Sequence, residues 1–236
     1  MGRNLREKIT DENLRRDEQY KILFKIIEEK CIRHSIDLLQ RIPDGLKYST
    51  ATCDFIRPGK FSDNDMFFPY MICFCDIPVE DLGIHISKYS HFGLSFKKSF
   101  LIERGASPLF YVEKNSAIEN TTRSEYFDKM VDCYLNYCNY IINLKDPGKI
   151  EPKSEECFKI SQFMLDLLRY IKFFDASKPD NDKDNFYMER EWRSPYYIHF
   201  EIAAICRIIL PSSYSERFRN DVPEYIGQIT FSDDFS

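Results

Sequence analysis

The sequence predicts an α+β fold, a twisted and split β-sheet flanked by helices and preceded by an N-terminal helical segment. Three observations carry this expectation. Near the start, Tyr20, Leu23, Ile26, Ile27 and Cys31 recur at helical spacing, with charges filling the other side. From Met66 to Glu113, strand-like and helix-like stretches alternate. Beyond them come two longer amphipathic stretches, 124–143 and 154–174.

Taken in order, the first ~45 residues read as helical, with a second short helix over Ser35 to Ile42. Pro43-Asp44-Gly45 stops it. "GLKYSTATC" is strand-like, "RPGKFSDND" is a loop, and "MFFPYMICFC" reads as a buried strand kinked or set at an edge by Pro69. Asp76-Ile77-Pro78 ends that strand, and "VEDLGIHISKY" makes a short amphipathic helix running to Tyr89. "FGLSF" is a strand, "KKSFLIERG" a helix closed by Gly105, and "PLFYVE" another strand. The helix at 124–143 aligns Tyr126, Met130, Cys133, Tyr134, Tyr137 and Ile141; that at 154–174 aligns Cys157, Ile160, Met164, Leu167, Leu168 and Ile171. Such stripes are ordinarily core. An acidic loop, "DASKPDNDKDN", leads into a charged strand. A strand through Ala203 to Leu210, a short helix around Tyr214 to Arg219 and a strand "GQITF" finish the chain. The expected domains are a helical segment, 1–44, and an α+β domain, 45–236, with a helical insertion at about 121–175.

Composition limits the function classes. Hydrophobic residues make up 43% and charged residues 30% of 236, which suits a soluble globular domain with its own core. Thirty-three basic against 38 acidic residues leave a net charge of −5, so no global attraction to nucleic acid or anionic membrane is expected, and a nucleic-acid partner would need a local basic patch that composition does not show. The charged N-terminus carries no apolar signal, and no apolar run approaches the ~20 residues of a membrane span. A cytoplasmic protein with reduced thiols is the expectation, so the eight cysteines are not a disulfide framework. Cys73 and Cys75 point to one face of a strand, but no second Cys/His pair completes a zinc site, and no metal is expected. There is no phosphate-cradling glycine loop, nucleophile elbow or His-Glu-x-x-His.

The stretch "NFYMEREWRSPYY", from Asn185, sets Glu189, Arg190, Glu191 and Arg193 among aromatic residues. Apolar neighbours ask for burial, and charges resist it unless paired or used. Read as a strand, it puts Glu189, Glu191 and Arg193 on one face, the carboxylates roughly 6.5–7 Å apart at Cα. Arg193 would offset their repulsion. Paired carboxylates suit stabilising a cation-like sugar ring, or holding a ribose hydroxyl. An exposed edge strand with ordinary cross-strand ion pairs is the plainer alternative.

The Cys-Phe-Cys-Asp-Ile-Pro turn at Cys73 to Pro78, "KYSHFGLSF", "ERGASPLFYV" and the Glu-Arg-Glu-Trp-Arg run together resemble the AbiGi family of bacterial abortive-infection proteins, described as antitoxins in phage resistance. The usual His-Phe-Thr opening is replaced by His34-Ser35-Ile36. The order His…Tyr…Glu also resembles the signature of ADP-ribosyltransferases, whose fold the domain would then share. That resemblance implies His34 as the ribose contact of an NAD substrate, Tyr89 as the ring stacking on nicotinamide, and Glu191 as the catalytic carboxylate. Glu189 would position the nucleophile of a macromolecular acceptor, with Arg193 on the same face. The rival is a non-catalytic antitoxin that binds and silences a cognate toxin protein.

Overall fold

The computed structural model describes residues 11–33, 60–64, 71–142, 159–160, 163–164, 166–182 and 184–235, and within them helices and strands mix as an α+β fold. The expected short helix at Ser35 to Ile42, the strand from Gly45 and His34 itself lie outside the described residues. Two compact units divide the chain. Unit one gathers the described residues within Met1–Thr50, Pro69–Ser107 and Met188–Ser236; unit two gathers those within Ala51–Phe68 and Pro108–Tyr187.

In unit one, Asp11 starts helix α1 (Glu12–Glu28) by accepting hydrogen bonds from the amides of Asn13 and Leu14 at 2.9 and 3.2 Å. Its stripe of Tyr20, Leu23 and Ile27 is buried, as the spacing requires. The helix stops before Cys31, however, which corrects the longer helical segment read from the sequence. Lys30 turns left-handed with φ 49°, and Cys31–Ile32 becomes a short strand, β1. Both residues are buried in an antiparallel pair with β5 (Ile198–His199).

Chain order then brings β2 (Ile72–Cys75), α2 (Leu82–Lys88), β3 (Gly93–Phe96) and α3 (Lys98–Ile102). Later come β4 (Glu191–Ser194), β6 (Ile205–Leu210), α4 (Ser215–Asp221) and β7 (Gln228–Phe231). Strands β7, β6 and β3 form one sheet in that order, β6 parallel to β7 and antiparallel to β3. Parallel neighbours need a crossover, and α4 supplies it. Ile208 and Leu210 of β6, Phe218 of α4 and Tyr20 of α1 are almost wholly buried in the resulting core. The Tyr20 hydroxyl donates to Asp221 at 2.6 Å, giving the buried ring a partner for its polar end. Gly105 ends α3 as read, with φ 79° and its amide on the Ile102 carbonyl.

Helix α2 is held by a close approach. A Cβ built on Gly83 would lie 2.8 Å from the backbone carbonyl oxygen of Phe235, in the 3-10 turn Ser232–Phe235. Neither backbone can yield cheaply, so Gly83→Ala is expected to cost about 1–3 kcal/mol. A urea titration of unit one that leaves the midpoint unmoved would contradict this packing.

Unit two pairs the strands Phe110–Glu113 and Ile171–Phe174 in parallel beside the helix Arg123–Ile142. Phe61, Val112, Val131, Leu168 and Phe173 form its core. The sequence spacing extends the second long helix to 174, whereas the chain leaves the helix before Ile171. Two anchors enforce the change. The Phe110 amide donates to Tyr170, and the Asn64 side chain bonds both backbone groups of Phe173, at 2.6 and 2.8 Å. The aromatic and β-branched "IKFF" fits a pleated surface once such a partner strand exists.

Candidate buried charge cluster

Strand β4 pairs antiparallel with β2 in a register that decides the site: Cys75 opposes Glu191, Phe74 opposes Trp192, and Cys73 opposes Arg193. Alternation then sorts the side chains. Phe74 and Trp192 pack on the core of unit one, while Glu191, Arg193, Cys73 and Cys75 share the other face.

That face differs from the regular strand read from the sequence. Glu189 belongs to a 3-10 turn, Phe186–Glu189, and the strand begins only at Glu191. Arg190 between them takes φ 42°, a left-handed conformation uncommon outside glycine. Its carbonyl accepts the Asp76 amide at 3.2 Å, which ties this bend to the end of β2. The two carboxylates therefore leave the chain through different local geometry and find different partners.

Glu189 Oε1 accepts from Lys88 Nζ and from the Tyr89 hydroxyl, each at 2.5 Å. Lys88 is the last residue of α2 and Tyr89 is its cap, so one helix end delivers both donors. Glu191 Oε1 accepts from Arg193 Nε at 2.7 Å. Lys88, Glu189, Glu191 and Arg193 are each less than 10% exposed, which is rare for charged side chains unless they are paired. The ring of His85 lies 4.6 Å from that of Tyr89.

The structure thus brings Glu189, Glu191, Arg193 and Tyr89 into one unit, with the Tyr89 hydroxyl donating to Glu189. Lys88 was missed by sequence reasoning. Its signal was adjacency to Tyr89 at the end of an amphipathic helix, but a lysine there normally reads as solvated.

Electrostatics follow the packing. Desolvation pulls down the Arg193 guanidinium, but Glu191 first and then Cys73 outweigh it and hold its proton affinity above the ordinary value. Burial is the main reason the Cys75 thiol is pushed up to about 11, with the Glu189, Asp76 and Glu191 carboxylates adding to it. Cys75 therefore stays a neutral thiol beside the cluster. Because its folded proton affinity is the higher one, the folded state loses no stability below pH ~9. Stability falls as pH climbs from ~9 towards 11, by on the order of 2–3 kcal/mol. Urea midpoints at pH 8 and 10.5 should separate by more in the wild type than in Cys75→Ser; equal separations would refute this.

Among the described residues, no group of three or more His, Cys, Asp or Glu is placed to hold a metal ion. None of the described helices is long and apolar enough to cross a membrane.

Residues 67–221 match the family model described as "Putative abortive phage resistance protein AbiGi, antitoxin". The matched span contains Lys88, Tyr89, Glu189, Glu191 and Arg193. The chain is also 28% identical over 163 residues to the abortive phage resistance protein AbiGi of Lactococcus lactis subsp. cremoris. That alignment covers 62% of this chain and 59% of the relative, so the chain spans little more than half the relative's length. No solved structure matches the chain.

Proposed function

We propose, from the premise that this chain belongs to the AbiGi family, that it serves abortive infection against phage as an antitoxin, binding and silencing a cognate toxin protein. One observation carries the choice of a binding role: the buried charges of the candidate site are already matched. Two carboxylates face one ammonium and one guanidinium at 2.5 and 2.7 Å. A carboxylate so engaged has little field left for a cation developing on a bound sugar, because catalysis of that kind draws on groups aimed at the charge that forms in the transition state. A closed cluster instead holds α2, β2 and β4 in fixed relation, and so preserves the surface of unit one. Its description as an antitoxin agrees with that use.

A second reading keeps one specific support. The Tyr89 phenol and the Glu189 carboxylate meet although they are 100 residues apart in sequence, and Glu191 follows two positions later. This is the set that transfer of ADP-ribose from NAD to a macromolecule would draw on, with Glu191 beside the cation-like ribose and Tyr89 against nicotinamide. It would require Arg193 and Lys88 to release their carboxylates when substrate enters.

The test sets purified chain, and a Glu191→Gln variant, with labelled NAD and cell lysate. In parallel the chain is expressed alone and together with the product of the adjoining gene. The antitoxin reading expects no label transfer, no slowing of growth by the chain alone, and relief of the partner's toxicity on co-expression. Label transfer by the wild type that Glu191→Gln abolishes would establish the enzyme instead.

A further inference from the structure

We propose that the outer face of the two-stranded sheet in unit two docks the toxin, receiving a basic, arginine-bearing segment of that protein. The inference rests on the antitoxin reading and extends it from unit one, whose surface the charge cluster preserves, to unit two.

Register builds the face. Across the parallel strands Phe110–Glu113 and Ile171–Phe174, Tyr111 pairs with Lys172 and Glu113 with Phe174. Alternation sends Val112 and Phe173 into the core, and so turns those four side chains the other way. Tyr187 closes on them, its ring centroid 4.8 Å from that of Phe174 and 5.3 Å from that of Tyr111. Rings in mutual contact fix one another's rotamers, so a partner meets them at little ordering cost. Tyr187 nonetheless stays 52% exposed, with Tyr111 and Phe174 half-buried. A fixed tyrosine left in water is the kind of residue that anchors protein interfaces. Lys172 is withdrawn from the face: it is buried, with its ammonium 4.7 Å from the centre of the Phe186 ring.

Charge selects the occupant. The acidic segment 175–184 leaves directly after Phe174 and returns through Asn185 and Phe186 to Tyr187, so both its ends meet at the touching rings. Asp175 keeps Lys114 at 3.6 Å, and Asp184 keeps Lys178 at 3.4 Å. The exposed Asp180, and Glu113 on the face itself, form no ion pair with any described residue. The stretches of unit two hold 17 acidic and 13 basic residues, those of unit one 21 and 20, so four of the five net negative charges belong to unit two. Such a face repels nucleic acid and anionic lipid. Rings packed against each other leave no cage between them for a small ammonium ion. A guanidinium fits, lying flat on an exposed tyrosine ring while its N–H groups reach a carboxylate. Several carboxylates ask for several such cations, which a basic protein segment supplies.

The purified full chain is passed over the immobilised product of the adjoining gene, and binding is followed by surface plasmon resonance. Tyr187→Ser should weaken binding about 30-fold, as loss of an aromatic anchor does. Glu113→Lys and Asp180→Lys should each weaken it about 10-fold, mostly through slower association, and flatten its dependence on salt. Asp180 is exposed, so Asp180→Lys spares the fold whatever Tyr187→Ser does to the ring cluster. Glu216→Lys, the same change of charge at an exposed site on α4 of unit one, should shift the affinity by less than about 2-fold. Wild-type affinity in both Tyr187→Ser and Asp180→Lys overturns the inference and leaves the antitoxin reading standing, with the toxin held elsewhere on the chain. An effect of Glu216→Lys as large as that of Asp180→Lys overturns it too, since the attraction is then general. So does self-association of the chain that Tyr187→Ser abolishes, which makes a second copy the occupant. Absence of binding by the wild type overturns the antitoxin reading and the inference with it.

Discussion

Lys88→Met is expected to destabilise unit one by about 3–5 kcal/mol, among the largest effects of any single substitution in the described chain. The ammonium lies 2.5 Å from Glu189 Oε1, and both side chains are at most 10% exposed. Methionine fills the space of the lysine stem but leaves a buried carboxylate without its cation, and the Tyr89 hydroxyl supplies a dipole in place of a charge. Desolvation of Glu189, formerly offset by Lys88, then falls on the folded state alone. Adding Glu189→Gln to the same chain should recover about 1–3 kcal/mol, because a neutral amide is far cheaper to bury. Trp192, the one tryptophan of the sequence, packs against the core of unit one, and its fluorescence reports unfolding there directly. Equal urea midpoints for the wild type and Lys88→Met would mean that this ammonium is solvated and the cluster is no scaffold.

The second large effect concerns the other pair. Arg193→Met should also cost about 3–5 kcal/mol, since Glu191 is 6% exposed and loses the guanidinium at 2.7 Å. The informative variant is the double one. Replacing both partners, Arg193→Met with Glu191→Leu, removes the unmatched charge along with the attraction. Buried ion pairs exchanged whole for apolar residues are often neutral or better. The double variant should therefore lie within about 1 kcal/mol of the wild type while the single one unfolds early. If the double variant is as unstable as the single, the cost comes from lost packing at β4 and not from charge. Should the stable double variant still relieve toxicity on co-expression, the antitoxin reading gains, because no carboxylate of that pair remains to do chemistry.

How legible the fold is in the sequence differs from element to element. Helix α1 was legible because Tyr20, Leu23 and Ile27 repeat at the period of the helix and all three are buried. Strand β3, helix α3 with its closing Gly105, and strands β6 and β7 were legible for the same reason, local pattern agreeing with local punctuation. The strand Ile171–Phe174 was hidden because "IKFF" continues a helical stripe; only its partner at Phe110–Glu113, some 60 residues earlier, makes it a strand. Cys31–Ile32 was hidden likewise by its distant partner β5.

At the candidate site, the charged residues were visible as an oddity but their partners were not. Alternation on a regular strand would put Glu189 and Glu191 on one face, yet Arg190 at φ 42° breaks the strand between them. No residue type announces a left-handed arginine, whereas a glycine there would have. Lys88 meets Glu189 across 101 residues, a pairing that spacing cannot anticipate.

The interleaving of the two units has a bearing on how a cell makes this protein. Unit one takes its core from helix α1 and from strands that end with Gln228–Phe231, about 200 residues later in the chain. At ~5–20 residues per second a ribosome needs roughly 10–40 s to cover that interval. Until it closes, Tyr20, Leu23 and Ile27 lack the complete sheet they pack against, whereas the last segment of unit two, ending at Tyr187, is made before that closing strand. Unit two is thus in a position to fold on the translating ribosome, and unit one only when its closing strand is released, with nascent-chain chaperones the natural guardians of the waiting helix.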